Sequence, residues 1–347
     1  MLTQLFLHPF VKDSLKHSTQ QLQSKAGDFL KRNSFILLGL FIISTITTAL
    51  YLFNRFIYTS SVKNNLLKSD QGLFYKWKFG SVFYTKKGQG NPILLVHDLT
   101  TFSSSYEWHE IGERLSKTNT VYTLDLLGCG RSDKPALTYT SFLYVQLITD
   151  FIHSIIGEPT EVIVAGSSGA FILEACTMSN PMINQVILIN PKELHALAKT
   201  PTSHCKLLRT TLALPLIGTF LYNLFINKRT LTNLLKTVYY NDPDKVTDLT
   251  VDFLAESSQK NKARGKFLYA SMTSKLTCSN LFHCLRRINI PVSILSSQGI
   301  PNNFIIASEY QQILPSTRII ELENSNYLPH METPHETLKQ IQTLLES

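Results

Sequence analysis

The chain has 347 residues, of which 44% are hydrophobic and 17% charged, and its formal net charge is +8. This composition predicts a globular protein with an apolar addition and excludes a disordered chain. Residues 1–68 hold eight Lys or Arg and two Asp, a net charge of +6. Because these basic residues flank an apolar segment, they favour a membrane surface over nucleic acid as the partner.

That apolar segment runs from Phe35 to Phe53 without a charge. Its 19 residues are enough to cross a hydrocarbon core of ~30 Å. We therefore predict a single transmembrane helix over residues 34–58, preceded by a basic tail (1–33), followed by a linker (59–72) and anchored in membrane lipid. A buried core helix and a cleaved signal peptide are the alternatives. The basic residues on its two sides are nearly balanced, so the side of the membrane stays open.

The cysteines do not indicate a disulfide framework or a zinc site. There are five of them, an odd number, and none has the C-x-x-C spacing. The chain also lacks the Gly-Lys-Ser/Thr sequence of a phosphate-binding loop. We expect no metal, no cofactor and no nucleic-acid partner.

After the linker, short apolar strands alternate with helices, a pattern that predicts parallel βαβ units. The predicted strands are Tyr75–Trp77, Val82–Thr85, Pro92–His97, Val121–Leu126, Val162–Ala165, Gln185–Ile189, Val292–Leu295 and Arg318–Leu322. The alternation stops at about residues 191–289, which look all-helical. We predict that this insertion forms a cap over the carboxyl ends of the strands, where open α/β sheets bind ligands.

One turn in this pattern carries a candidate catalytic residue. The strand Val162–Ala165 runs directly into Gly166-Ser167-Ser168-Gly169, and a helix-like segment follows. This is the layout of a nucleophile elbow, in which a serine lies on a strained turn between strand and helix. The residues two before and two after that serine must be small. Gly166 and Ala170 meet this requirement, so we predict that Ser168 is the nucleophile.

Three further segments resemble the α/β-hydrolase superfamily, in an esterase/lipase-like or peptidase-like branch. Leu94-Leu95-Val96-His97-Asp98-Leu99 resembles the strand and oxyanion turn near the start of that fold. The segment Asp125–Pro135 is similar to the loop after the next strand, and Asn326–Pro334 to the segment after the last strand. Together with the elbow, the resemblance covers residues 73–346.

The resemblance implies a fold, a set of oxyanion donors and several structural contacts. Residues 73–347 should form an α/β-hydrolase domain with a mostly parallel, eight-stranded sheet and a helical cap. The backbone N–H groups of Leu99 and Gly169 should donate to the oxyanion. Arg131 and Asp133 should form an ion pair within their loop, and His97 should be structural.

The same resemblance exposes departures at the positions that assist the nucleophile. Tyr327 stands where the family has its general base, and Ile300 where it has its acid. His330 is the candidate replacement base and Glu193 the candidate acid, although His330 also matches a family histidine with a structural role. Asp98 replaces a glycine beside the oxyanion hole.

Two functional hypotheses follow from these residues. The first is a membrane-anchored serine hydrolase that acts on a small apolar, ester or acyl substrate through Ser168. Tyrosine, with a reference pKa of ~10, is a poor acceptor for the serine proton at neutral pH, so this hypothesis needs an unusual base. The second hypothesis is a pseudoenzyme that binds an apolar ligand or a protein partner.

Overall fold

A computed structural model describes residues 9–68, 72–179 and 181–346. The chain divides into two units, residues 1–53 and 54–347. The first eight residues of the predicted tail and residues 69–71 of the predicted linker lie outside the described residues.

The first helix, α1, spans Pro9–Ser61 and is longer than the predicted transmembrane segment at both ends. Proline is favoured at a first helical position, and no proline follows before Pro92, so nothing in this stretch breaks the helix. Its part Asn33–Ser61, with a mean hydropathy of 2.2, is long and apolar enough to cross a membrane. Phe35 and Phe41, about 70% exposed, present their rings outward.

The predicted eight-stranded, mostly parallel sheet is confirmed in the second unit. The strand order is β1-β2-β4-β3-β5-β6-β7-β8; β1 and β2 pair antiparallel, β2 pairs antiparallel with β4, and the other neighbours pair parallel. The strands are β1 (Leu73–Trp77), β2 (Gly80–Lys87), β3 (Pro92–Val96), β4 (Thr120–Leu124), β5 (Thr160–Ala165), β6 (Ile183–Ile189), β7 (Val292–Ser297) and β8 (Arg318–Leu322).

Helices cover both faces of this sheet, which explains why its central strands are continuous apolar runs. All five residues of β3 are buried. Leu94 and Val96 belong to the core on one face, whereas Ile93 and Leu95 belong to the core on the other. Outside the insertion, the helices between the strands are α2 (His109–Leu115), α3 (Ser141–Phe151), α4 (Gly169–Ala175) and α12 (Asn303–Ile313), and α13 (Pro329–Glu332) and α14 (Pro334–Leu345) follow β8.

The insertion between β6 and β7 is helical, as the sequence indicates. Its helices are α5 (Leu194–Leu197), α6 (Ser203–Ala213), α7 (Ile217–Phe225), α8 (Lys228–Leu234), α9 (Asp248–Ala263), α10 (Lys266–Thr273) and α11 (Phe282–Leu285). In α9 the backbone leaves the helical conformation at Lys260, Asn261 and Lys262, which bends its last turn. We refer to this insertion as the cap.

The last turns of α1 belong to the second unit and are bonded to the cap. The Asn54 side-chain amide donates to the carbonyl of Leu216, 3.2 Å away. In turn, Asn223 Nδ2 donates to Asn54 Oδ1 over 2.9 Å. Gln259 Nε2 on α9 donates to Asn223 Oδ1, so hydrogen bonds between three side-chain amides join α1, α7 and α9.

Part of the predicted linker is also bonded to the cap. The backbone N–H groups of Leu66 and Leu67 donate to the buried carboxylate of Glu256, at 2.6 and 3.2 Å. The carbonyl of Leu67 accepts from Arg131 Nε at 2.7 Å. Hydrogen bonds of this segment therefore connect the cap to the loop after β4.

Candidate active site

A strand, a turn and a helix follow one another at the predicted elbow, but the residue with a positive φ is Gly166 instead of Ser168. A single 3₁₀ turn, Gly166–Ser168, joins β5 to α4. Gly166 has a φ of +58°, in the left-handed region that favours glycine. Ser168 has φ −65° and ψ −21°, which is ordinary right-handed helical backbone. The strained position expected of a nucleophile therefore carries no side chain.

The oxyanion hole gives the same assignment. In this fold the hole consists of the N–H of the residue after the nucleophile and an N–H from the loop after β3. The N–H groups of Leu99 and Ser167 converge on one atom, Asp98 Oδ1, and each lies 2.7 Å from it. Ser167 follows Gly166, so aligning these two N–H groups with the fold's oxyanion donors would place Gly166 at the nucleophile position and Asp98 Oδ1 at the point where the donors converge.

The N–H groups of the two predicted oxyanion donors have different partners. The N–H of Leu99 donates to Asp98 Oδ1, whereas the N–H of Gly169 does not. The Gly169 N–H bonds to the carbonyls of Gly166 and Ser167 within the turn. It is engaged because the helix begins at Gly169, directly after the 3₁₀ turn that contains Gly166.

Asp98 and Gly166 are in tight contact. A Cβ atom built on Gly166 would overlap with Cγ and Oδ1 of Asp98. The Asp98 carboxylate also accepts from Ser167 Oγ at 2.7 Å. Burial raises the pKa of Asp98, against the lowering by the hydrogen bonds from Ser167, and the negative charge of Glu107 raises it further. A side chain at Gly166 and a carboxylate at Asp98 exclude one another in this geometry.

The two residues considered for the general base, Tyr327 and His330, follow β8. Tyr327 is 42% exposed, and its ring centroid lies 5.5 Å from that of Tyr239 in the cap. His330 is buried; its ring stacks on Trp108 at 4.4 Å, and its Nε2 lies 3.5 Å from Glu107 Oε2.

Ser168 is not joined to a base. Its Oγ is buried and has no hydrogen-bond partner among the described residues. The structure therefore does not bring the predicted nucleophile and His330 into a hydrogen bond.

Neither of the two predicted acid positions supplies a carboxylate to this site. Ile300 is buried, and Glu193 is exposed at the start of α5. Asn190, which sequence reasoning missed as a site residue, ends β6 with a φ of +48°. Its Oδ1 accepts from the Ser297 N–H and from Asn303 Nδ2, both at 2.8 Å. A neutral amide thus occupies the end of β6, where some family members carry the acid.

Asn190 also reaches the loop after β8. Its Nδ2 donates to Ser297 Oγ and to the carbonyl of Asn326, each at 3.0 Å. The only sequence signal was its place at the strand end beside Pro191, since an amide at that position can join neighbouring loops.

The loop after β4 keeps a complete set of buried polar contacts. Asp125 Oδ1 accepts from the Ser105 N–H at 2.6 Å, and its Oδ2 accepts from the Arg131 N–H at 2.7 Å. The Arg131 guanidinium lies 3.7 Å from the same carboxylate. The predicted Arg131–Asp133 ion pair is therefore wrong: Asp133 is exposed and its carboxylate accepts from the Ser81 N–H.

His97 holds the turn that carries Asp98. Its Nε2 accepts from the Leu126 N–H at 3.0 Å, so the neutral ring carries its proton on Nδ1 and donates to the Asp98 carbonyl at 2.7 Å. Both ring nitrogens are engaged with backbone. This arrangement joins the ends of β3 and β4 and assigns His97 a structural role.

Aromatic side chains line the space near Asp98. The rings of Phe102 and Tyr239 meet edge to face with centroids 5.9 Å apart. Burial raises the pKa of Tyr239, and the negative charge of Asp98 raises it further because the two groups are close. Within the described ranges no group of three or more His, Cys, Asp or Glu side chains is arranged to hold a metal ion.

Comparison with known proteins agrees with this fold. A model of the "Alpha/beta hydrolase family" matches residues 93–340. A 2-hydroxy-6-oxo-6-(2'-aminophenyl)hexa-2,4-dienoic acid hydrolase of Metapseudomonas resinovorans is 27% identical over 108 residues, which are 30% of this chain. The match spans 37% of that relative, and the matches to the uncharacterized protein Rv2715 of Mycobacterium tuberculosis and its counterparts span 30% of theirs.

Solved structures extend the similarity over most of the chain. The Cif epoxide hydrolase from Acinetobacter nosocomialis superimposes with a TM-score of 0.67 at 17% identity, covering 84% of this chain and 95% of that one. A membrane phospholipase A described as a bacterial virulence factor gives 0.62 at 17% identity, covering 90% and 97%. These structural similarities show the fold alone. Together with the family match over residues 93–340, they establish that the chain belongs to the α/β hydrolase family.

Proposed function

We propose that this chain is a membrane-anchored α/β hydrolase family member that does not hydrolyse esters and uses its cleft to bind an apolar ligand or a protein partner. The observation that carries the proposal is the position of Asp98 Oδ1, 2.7 Å from the N–H groups of both Leu99 and Ser167. Those are the two donors that the fold otherwise offers to a developing oxyanion.

An occupied hole cannot stabilise a tetrahedral intermediate. Catalysis in this fold needs donors about 2.7–3.1 Å from the oxyanion, and loss of one such donor costs about 10²–10³ in turnover. Here Asp98 holds both donors, and its ionised carboxylate would also repel the developing negative charge. The missing side chain at Gly166 and the tyrosine at 327 remove the nucleophile and the usual base from the same mechanism.

Aromatic side chains beside Asp98 support an apolar ligand or partner. Tyr239 contacts both Phe102 and Tyr327, with centroid separations of 5.9 and 5.5 Å. Binding sites for small molecules are lined mainly by apolar and aromatic side chains with a few fixed polar groups. The anchor is supported by the exposed apolar part of α1, Asn33–Ser61, whose length suits a bilayer.

A fluorophosphonate probe tests the loss of hydrolase chemistry, because it labels activated serines. We expect no specific labelling of the detergent-solubilised full chain between about pH 6 and 9, the range in which a serine–base pair would be active. Ser168→Ala and Ser167→Ala serve as a matched pair, since the two serines are adjacent on the same turn. Labelling that disappears in Ser168→Ala and persists in Ser167→Ala would refute the proposal.

That result would instead support the second candidate, a serine hydrolase that uses Ser168. One observation favours it: Ser168 Oγ is buried without a hydrogen-bond partner in the part of the chain that the structure describes. Buried hydroxyls usually have such a partner. In this alternative His330 would act as base and Glu193 as acid on an ester or acyl substrate, which requires both loops to move toward Ser168.

A further inference from the structure

An unusual amount of apolar side chain is exposed on two consecutive cap helices. Helices α6 and α7 meet at a bend of 104°. We call their outward surface the cap face; it consists of Leu207, Leu208, Leu214, Ile217, Leu224 and Phe225, which are between 43% and 69% exposed. Contiguous exposed apolar patches on soluble proteins usually mark interaction sites.

The spacing on α7 shows that this exposure is organised. Ile217, Leu221, Leu224 and Phe225 follow the i, i+4, i+7, i+8 spacing that forms one stripe along a helix. The opposite side of α7 is buried and carries polar groups. Tyr222 there donates its hydroxyl proton to the carbonyl of Ser258 at 2.8 Å. The helix thus packs on the domain through polar contacts and turns its apolar stripe outward.

Within the chain segment that carries the cap face, every charged residue is basic, although Lys228 pairs with Asp252 of α9. Between Glu193 and Asp242 the chain contains six Lys or Arg and no Asp or Glu. Lys206, Arg229 and Lys236 are exposed. An apolar face bordered by Lys and Arg is the pattern of helices that lie in the interface of membranes containing anionic lipid.

The end of α1 lies beside the start of α7. Asn54 bonds both to the carbonyl of Leu216, which directly precedes α7, and to the side chain of Asn223 within it. Asn54 lies inside the apolar segment Asn33–Ser61. Within the second unit, the C-terminal end of the apolar segment is therefore bonded directly to the helix that carries the apolar stripe.

We propose that the cap face lies in the interfacial layer of the bilayer that anchors α1, with anionic headgroups bound by Lys206, Arg229 and Lys236. This inference rests on the membrane anchor of the proposed function. It adds a second contact with the membrane, made by the cap itself. The occupant of the apolar surface is therefore lipid acyl chain and headgroup.

Tryptophan quenching tests this contact on the full chain in phosphatidylcholine vesicles with or without phosphatidylserine. Phe225→Trp introduces a reporter on the cap face, and Leu207→Trp provides a second one on α6. Phe304→Trp is the matched control, since Phe304 is 50% exposed on α12. The native Trp77 and Trp108 are buried and give a common background. The quencher is lipid with brominated acyl chains, and only protein that floats with the vesicles is measured.

We expect the emission of the Phe225→Trp and Leu207→Trp variants to shift to the blue and to be quenched by brominated lipid, more strongly when phosphatidylserine is present. The Phe304→Trp control should show neither change beyond background. Combining Phe225→Trp with Arg229→Glu and Lys236→Glu should remove the phosphatidylserine-dependent part of the quenching.

Other outcomes overturn the inference in distinguishable ways. Floating protein without quenching at either reporter excludes the cap contact and leaves the anchor intact. A blue shift that is concentration-dependent and insensitive to brominated lipid identifies a second copy of the chain as the occupant and also overturns it. Failure of the full chain to float removes the anchor and this inference together.

Discussion

The loop after β4 and the cleft beside it lie at the same edge of the sheet, yet they differ in their polar groups. In the loop, Asp125 is fully buried and satisfied by Ser105 and Arg131. In the proposed site, Gly166 has the positive φ, and the Asp98 carboxylate accepts from the N–H groups of Leu99 and Ser167. This contrast indicates that the fold depends on the buried polar contacts of Asp125 and does not require a nucleophile at the elbow or a free oxyanion hole.

Physical reasons support this separation. A buried charge that loses its partners costs the fold several kcal/mol, so the contacts of Asp125 are needed for stability. A nucleophile, a base and an acid are needed only for chemistry, and strained catalytic positions often reduce stability. Glycine at 166 accepts its positive φ without that strain.

The largest expected effect is a loss of stability caused by a substitution in the loop after β4. Asp125→Ala removes the acceptor of two backbone N–H groups and leaves the Arg131 charge unpaired, so we expect a loss of about 3–5 kcal/mol in unfolding free energy. Urea unfolding of the detergent-solubilised chain, followed by tryptophan fluorescence, measures it. Asp133→Ala is the control: this exposed carboxylate accepts one N–H, and its loss should cost about 1 kcal/mol. Equal effects of the two substitutions would contradict the assignment of Asp125 as the partner of Arg131.

The next largest effect concerns the contact between Gly166 and Asp98. Gly166→Ala places a Cβ against Asp98 and adds a side chain at positive φ, so we expect a loss of about 2–4 kcal/mol. Combining it with Asp98→Gly should recover the steric part of that loss, since the colliding atoms are then absent. The double-mutant cycle in the same urea assay measures the coupling. Additive effects would show that Gly166 and Asp98 do not touch.

The smallest effect is a pH dependence. The pKa of Asp98 is raised in the folded state, chiefly by burial, so folding takes up protons there. Stability from this group is then fully present below its unfolded-state pKa and falls as the pH rises through its folded-state pKa. Asp98→Asn keeps an oxygen acceptor and removes the titration. Relative to the Asn variant, the wild-type unfolding midpoint should fall as the pH rises from about 4, the ordinary pKa of an aspartate, toward neutrality. A parallel pair of pH curves would argue against a raised pKa.

Much of the fold was predictable because its signals are local. Each end of a predicted strand lies within two residues of the corresponding end in the structure. A continuous apolar run such as β3 indicates a strand that is covered on both faces, regardless of what covers it. The uncharged run Phe35–Phe53 predicts a long apolar helix for the same reason.

The candidate site was less predictable because its assignments depend on distances between segments. The rule of small neighbours favoured the register centred on Ser168, since Val164 stands two residues before Gly166. That rule presumes a side chain at the strained position, and glycine has none. The structure instead favours the register centred on Gly166, because the N–H of the next residue, Ser167, and the N–H of Leu99 donate to the same atom, Asp98 Oδ1. The residues of the elbow alone do not indicate where the N–H of Leu99 will lie.

The sequence by itself determined the alternation of strands and helices, the apolar segment, the resemblance to α/β hydrolases and the replacement of the usual base by Tyr327. These depend on periodicity and on residue identity at short range. Only the tertiary structure decided that Asp98 accepts from the N–H groups of Leu99 and Ser167, that Arg131 pairs with Asp125 and that Asn190 bonds to Ser297, Asn303 and Asn326. In each case the partners come from different segments, and parallel strands bring their carboxyl ends together only when the sheet is complete.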